Sequence, residues 1–226
     1  MVIKTLHHGS DHVVECPRFG FGDKHTDYGQ GFYCTENADL AKEWGARRAN
    51  SSFVNTYRLD TKGLKNLNLS SGRYTTLHWL AVLLRNREIS LEYEVAVSAK
   101  EYIIDRFDVD TSGYDTISGY RADDSYFTYV MEFLNNMIPV QTLSRAMRLG
   151  KIGEQFVLKS EKAFEKIEFV GAEPVEFEKY SRRRADRDSK AVATYQEIRN
   201  EPMKEDDLFI MDIIRHGVDE NDPRIR

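Results

Sequence analysis

Two cysteines, Cys16 and Cys34, are too few to staple a chain of 226 residues. A disulfide framework is excluded as the source of stability, and a reducing cytoplasm is the simplest setting. Neither thiol stands out as a nucleophile, because Cys34 has no adjacent basic residue to stabilise a thiolate. Long apolar runs are also missing. The stretch Trp79 to Leu84 is typical of the longest, far short of the roughly 20 residues a membrane-spanning helix needs. The opening MVIKTLHHGSD has no apolar signal core, so export is not expected. Positive charge is not in excess. A formal net charge of −5 excludes a general basic field for nucleic acid and leaves room for a local patch. No internal repeat or low-complexity tract interrupts the chain.

What is present reads as a globular α+β protein. Hydrophobic residues make up 41%, an ordinary level for a packed core. Val2 to Leu6 reads as a strand ending at HHGS, and Gln30 to Thr35 as an extended edge. Phe53 to Asp60, FVNTYRLD, alternates as a strand does. Leu64 to Leu69, Tyr114 to Tyr120, Glu154 to Leu158 and Ile167 to Val170 complete the expected strands. Helical spacing predicts Asn37 to Ala49 with Leu40, Ala41 and Trp44 on one face, and Thr75 to Asn86 with Leu77, Leu80, Ala81 and Leu84 inward. Further helices are read at Val97 to Phe107, Ser125 to Asn136 and Val140 to Leu149, the last closed by Gly150.

The composition changes after Pro174. Lys179 to Glu201 reads as an exposed helix whose opposite charges pair along one face. Leu208 to Ile214 is a short amphipathic helix, apolar enough to dock back, and the final VDENDPRIR looks frayed. The expected division is a domain at 1–175 and a charged helical appendage at 176–226.

Three segments carry chemistry. His8-Gly9-Ser10 ends a strand: an imidazole can bond a ribose hydroxyl, and a glycine lets a ligand approach the backbone. A strand end with a capping serine and a satisfied histidine is the plainer alternative. His7 competes with His8, and strand alternation sends the two to opposite faces. In YGQGFYCT, Tyr28 to Thr35, Gly29 and Gly31 open space before Tyr33, and the following helix brings Trp44. Two flat rings beside a glycine turn can clamp a flat ligand, or they pack as ordinary core. In GEQFVLK, Glu154 opens an otherwise apolar strand, as an edge residue facing water or as a catalytic carboxylate at a cleft, and Gln155 faces the other way. A fourth stretch, GYRADDSYF, offers Arg121, Asp123 and Asp124 to a target, or serves as a turn that caps the next helix.

Taken in order, these segments resemble the ADP-ribosyltransferases of the His-Tyr-Glu type, the diphtheria-toxin and poly(ADP-ribose)-polymerase-like branch. The chain is similar, more closely, to a bacterial ADP-ribosyltransferase-like family of undescribed function that shares TLHHGS-, DYGQGFYCTE-, GYRADDSYF- and GEQFVLKSEKAF-like segments. The resemblance implies a split pair of small sheets with NAD between them and no metal. It gives His8 the adenosine-side ribose and Gly9 the nicotinamide carboxamide, with Ser10 nearby. Tyr33 and Trp44 would sandwich the nicotinamide ring, and Glu154 would bond the nicotinamide ribose. Arg121, Asp123, Asp124 and Gln155 are the expected acceptor-side residues. Ala41 stands where such enzymes often place a serine, so fewer side-chain contacts to the carboxamide are expected. The arginine-modifying branch fits poorly, because Ile152 stands two residues before Glu154 and no Ser-Thr-Ser strand is present. The expected activity is transfer of a single ADP-ribose from NAD to a protein or nucleic acid. NAD hydrolysis at the same site and a non-catalytic nucleotide- or partner-binding module are the alternatives. An antitoxin-like partner is compatible with this reading, and a membrane is not.

Overall fold

Strand periodicity builds two small sheets, and their seam positions the site. The computed structural model describes residues 2–46, 51–122, 124–149 and 153–225. The first sheet has the order β1 (Ile3–Ser10), β3 (Phe53–Asp60), β7 (Ile167–Pro174), antiparallel throughout. The second has the order β2 (Phe32–Cys34), β6 (Glu154–Leu158), β5 (Thr116–Tyr120), β4 (Asn66–Asn68), with β4 and β5 parallel. The sheets join where β1 meets the residue after β2. His7 N–H donates to the Thr35 carbonyl at 2.8 Å, and Thr35 N–H returns a bond to His7 at 2.9 Å. Leu6, Tyr57 and Leu59 of the first sheet pack against Phe32, Cys34, Phe156 and Leu158 of the second. The remaining faces of β5 and β6 carry Ile117 and Val157 into a larger helical core. Burial on both faces explains why β6 ends in an apolar run, Phe156 to Leu158.

Eight α-helices surround the sheets among the described residues: α1 (Ala38–Gly45), α2 (Thr76–Asn86), α3 (Glu94–Phe107), α4 (Asp124–Leu134), α5 (Val140–Ala146), α6 (Glu161–Phe164), α7 (Phe177–Arg199) and α8 (Ile210–His216). The pattern on α2 predicts one inward face, yet every residue from Thr76 to Leu84 is buried. Helices α3 and α5 pack against it as well, and a helix apolar all round is the kind a core can enclose. The expected capping residue Gly150 lies outside the described residues.

The C-terminal segment contributes to that same core. Tyr195, Leu208, Ile210, Ile213, Val218 and Ile225 are buried in the cluster that holds Trp79 and Leu83. The expected fraying of VDENDPRIR does not hold, because Pro223–Ile225 forms a 3₁₀ turn and Ile225 is covered. The charges of α7 differ from expectation too. Arg184 and Asp188 pair along the helix at 3.8 Å, but Tyr180 and Arg183 reach Asp39 of α1 at 3.0 and 3.2 Å, and Arg187 pairs with the buried Glu43. Asp39 and Glu43, four apart on α1, present both carboxylates to one neighbour.

Candidate functional site

The seam between the sheets gathers the first predicted group. His8 Nδ1 lies 2.7 Å from the Tyr33 carbonyl, and its ring stands 4.6 Å from that of Phe32. His7 takes the opposite face, with Nδ1 3.1 Å from Thr56 Oγ1; burial lowers its pKa. Ser10 is buried, donates to the His12 carbonyl at 2.6 Å, and accepts from Asn55 Nδ2 at 2.9 Å. Gly9 is required by helix packing. A Cβ there would lie 2.0 Å from the Ala41 carbonyl oxygen and 2.6 Å from Gly45 N, so the space that its missing side chain leaves holds α1. Its N–H and C=O are a separate matter: by the two-residue period they point to the same edge of β1 as those of His7.

Tyr33 holds the turn that precedes it. Its hydroxyl accepts from the Tyr28 N–H at 2.9 Å, donates to the Gly29 carbonyl at 2.7 Å, and lies 2.7 Å from Thr26 Oγ1. Burial raises its pKa. The two glycines serve this turn and not an open space, which corrects the reading that they make room before Tyr33. Gly29 has φ +70°, and a Cβ on Gly31 would lie 2.6 Å from Val157 Cγ1 and 2.7 Å from the Leu158 carbonyl. Lys159 completes the staple, with Nζ donating to the carbonyls of Tyr28 and Gln30 at 2.6 Å each. Burial, with Arg85 adding to it, pushes the Lys159 ammonium down to about 8. Cys34, beside Tyr33, is wholly buried and its thiol is pushed up, which makes it a packing residue.

Glu154 opens β6, exposed, opposite Tyr120. With Gln155 it borders a cleft of about 280 Å³ lined also by Thr35, Asn37, Ser118 and Phe156. The ladder pairs Tyr33 with Val157 and Cys34 with Phe156. Alternation therefore puts Glu154 on the Phe156 side of the sheet, and Gln155 on the Tyr33 side. The Glu154 carboxylate contributes to the raised pKa of Tyr28, after burial, Asp27 and Tyr33.

Trp44 stands on α1, half-buried, with the Arg121 guanidinium 4.5 Å from its ring centroid. The helix and the GYRADDSYF loop are thus brought together. Trp44 Nε1 is buried without a hydrogen-bond partner among the described residues. Asp123 lies outside the described residues. Asp124 opens α4, and its side chain lies outside those described. Gln155 is turned inward, donating to Asp27 Oδ2 at 2.5 Å.

Sequence reasoning did not single out Asp27, Arg87, Lys159 or Asn55. Asp27 and Lys159 lie within the quoted segments DYGQGFYCTE and GEQFVLKSEKAF, which is a signal of a kind. Arg87 follows α2 with no local pattern to mark it. Residues 4–169 match the family model described as "Protein of unknown function (DUF3990)". No curated protein and no solved structure matches the chain. With β2 to β6, all but the first residue of β1 and the first three residues of β7 inside the matched span, this chain belongs to the DUF3990 family.

Proposed function

We propose that the chain is an NAD-dependent ADP-ribosyltransferase that moves a single ADP-ribose to a protein or nucleic acid and releases nicotinamide. The observation that carries this reading is the seam. His8 Nδ1 meets the backbone carbonyl of Tyr33, 25 residues on, at 2.7 Å, and Glu154 opens the strand paired with that of Tyr33, on its other face. These are the residue types and the strand positions of a His-Tyr-Glu site. Two further features suit NAD. The Gly9 peptide groups face the seam edge, where a carboxamide can take both, and the half-buried Trp44 presents an indole ring on α1. Ala41 is fully buried and has no hydroxyl, so the carboxamide bonds fall to the backbone.

In this reading His8 holds a ribose hydroxyl and the rings of Tyr33 and Trp44 flank the nicotinamide. The bond between C1′ of the ribose and the nicotinamide nitrogen breaks, and its electron pair leaves with neutral nicotinamide. Positive charge builds on the ribose as in glycosidic transition states, and the Glu154 carboxylate stabilises it. The acceptor nucleophile then bonds C1′ and gives up its proton. The test uses labelled NAD, a cell lysate, and the protein beside Glu154→Gln. Label on protein or nucleic acid that falls by about 10²-fold or more in the variant supports transfer. Free ADP-ribose without a labelled acceptor points to hydrolysis, and NAD left intact by the unaltered protein sinks the proposal.

A further inference from the structure

Behind the Trp44 side of the site lies an ion pair, buried at Asp27 and partly exposed at Arg87, that the chemistry above does not use. Asp27 is 3% exposed. Its Oδ2 accepts from the Ala122 N–H at 3.0 Å and from Gln155 Nε2 at 2.5 Å. Its Oδ1 stands 2.7 Å from Arg87 Nη2, and the same nitrogen donates to the Ala122 carbonyl at 3.0 Å. Asp27 and Arg87 therefore hold both polar groups of one buried residue, immediately after Arg121. On the other side of Arg121, the Tyr120 carbonyl accepts from Trp79 Nε1 at 3.1 Å and from the Tyr28 hydroxyl. The backbone is pinned before and after Arg121, whose guanidinium lies over the Trp44 ring.

Burying a carboxylate against a cation is a poor way to gain stability, because desolvation offsets much of the attraction and an apolar pair of similar volume does as well. What an apolar pair cannot do is grip an N–H and a C=O together. We infer that Asp27 and Arg87 are positioning residues: the pair sets Arg121 over Trp44, and anchors Gln155 on β6 to the same loop. The kinetic consequence rests on the ADP-ribosyl transfer reading, and the structural consequence does not.

The experiment separates the two. Trp79 is fully buried, so acrylamide quenching of tryptophan fluorescence reports Trp44, and Arg121→Ala gives the value for an uncovered ring. Arg87→Lys keeps the charge beside Asp27 but loses Nη2, the nitrogen that meets both Asp27 and the Ala122 carbonyl. Asp27→Asn with Arg87→Met removes both charges, so that neither is left buried alone. In both, the quenching constant should rise toward that of Arg121→Ala, as the ring loses its cation–π cover. KM for NAD should rise roughly two- to fivefold with kcat little changed, the sign of lost uniform binding. A role in stability alone would move the melting temperature and leave quenching at the starting value; that result in folded Arg87→Lys overturns the inference even if the double variant does not fold. An unaltered protein that consumes no NAD defeats the transfer reading and leaves quenching to decide the clamp.

Discussion

Tyr33 shows what one residue can hide. Its ring was legible in the sequence, as an aromatic beside a glycine turn. Its hydroxyl was not, because the partners at Thr26, Tyr28 and Gly29 become neighbours only once the turn has closed. The two roles can be pulled apart. Tyr33→Phe keeps the ring but leaves the Tyr28 N–H without its partner and the Gly29 carbonyl with Thr26 Oγ1 alone. It should lower unfolding free energy by about 1–3 kcal/mol, the cost of stranding buried polar groups, as read by urea denaturation. If NAD binds as proposed, Tyr33→Phe should retain most of its affinity, while Tyr33→Ala loses roughly 1–3 kcal/mol of stacking as well. Equal loss in the two variants would refute the stacking role. Gly9 makes the complementary point. A glycine at a strand end was read as room for a ligand, and a helix backbone fills that room. Sequence shows that a side chain is missing, not what takes its place.

At the scale of elements, the strands were legible because a half-buried strand alternates and a doubly covered one is a short apolar run. The pairing was not legible: nothing local says that β2 would ladder with β6 and not with its sequence neighbour. The α7 charges were misjudged for a similar reason. Their partners on α1 lie some 140 residues earlier, at Asp39 and Glu43. Lys159 links two elements, tying the start of the turn before β2 to the end of β6, and it allows a test with a defined sign. Its value of about 8 lies below the ordinary 10.5. Between those pH values the folded chain holds fewer protons than the unfolded chain, so this residue makes stability rise with pH there; below about 8 both states are charged and its contribution is flat. Comparing the protein with Lys159→Met from neutral pH to about 10.5 should show the difference growing in favour of lysine. A difference that stays constant would mean the ammonium is not desolvated.

For the whole molecule, the central matter is where the core ends. The change of composition after Pro174 suggested a boundary, since a charged 23-residue helix looks like something outside a core. Composition averages over a helix, however, and burial does not. Tyr180, Ala191, Tyr195 and Ile198 are buried at positions that mean charge conceals, and Leu208, Ile210 and Ile213 close over the helices beyond. Six side chains after residue 175 sit in the main cluster: Tyr195, Leu208, Ile210, Ile213, Val218 and Ile225. At roughly 1.5–3 kcal/mol for each apolar side chain buried, their loss amounts to on the order of 10–20 kcal/mol before allowing for a compact unfolded state. That is comparable to the whole stability of a typical domain, about 5–15 kcal/mol. A chain ending at residue 175 should therefore fail to reach a native core, with near-UV circular dichroism and dispersed amide resonances both lost, although every predicted site residue is still present. The full-length chain carrying Ile210→Ala and Ile213→Ala should fold with stability lowered by about 4–10 kcal/mol, at 2–5 per site. A truncated chain with native spectra would place the boundary back at Pro174 and make the C-terminal helices an accessory layer.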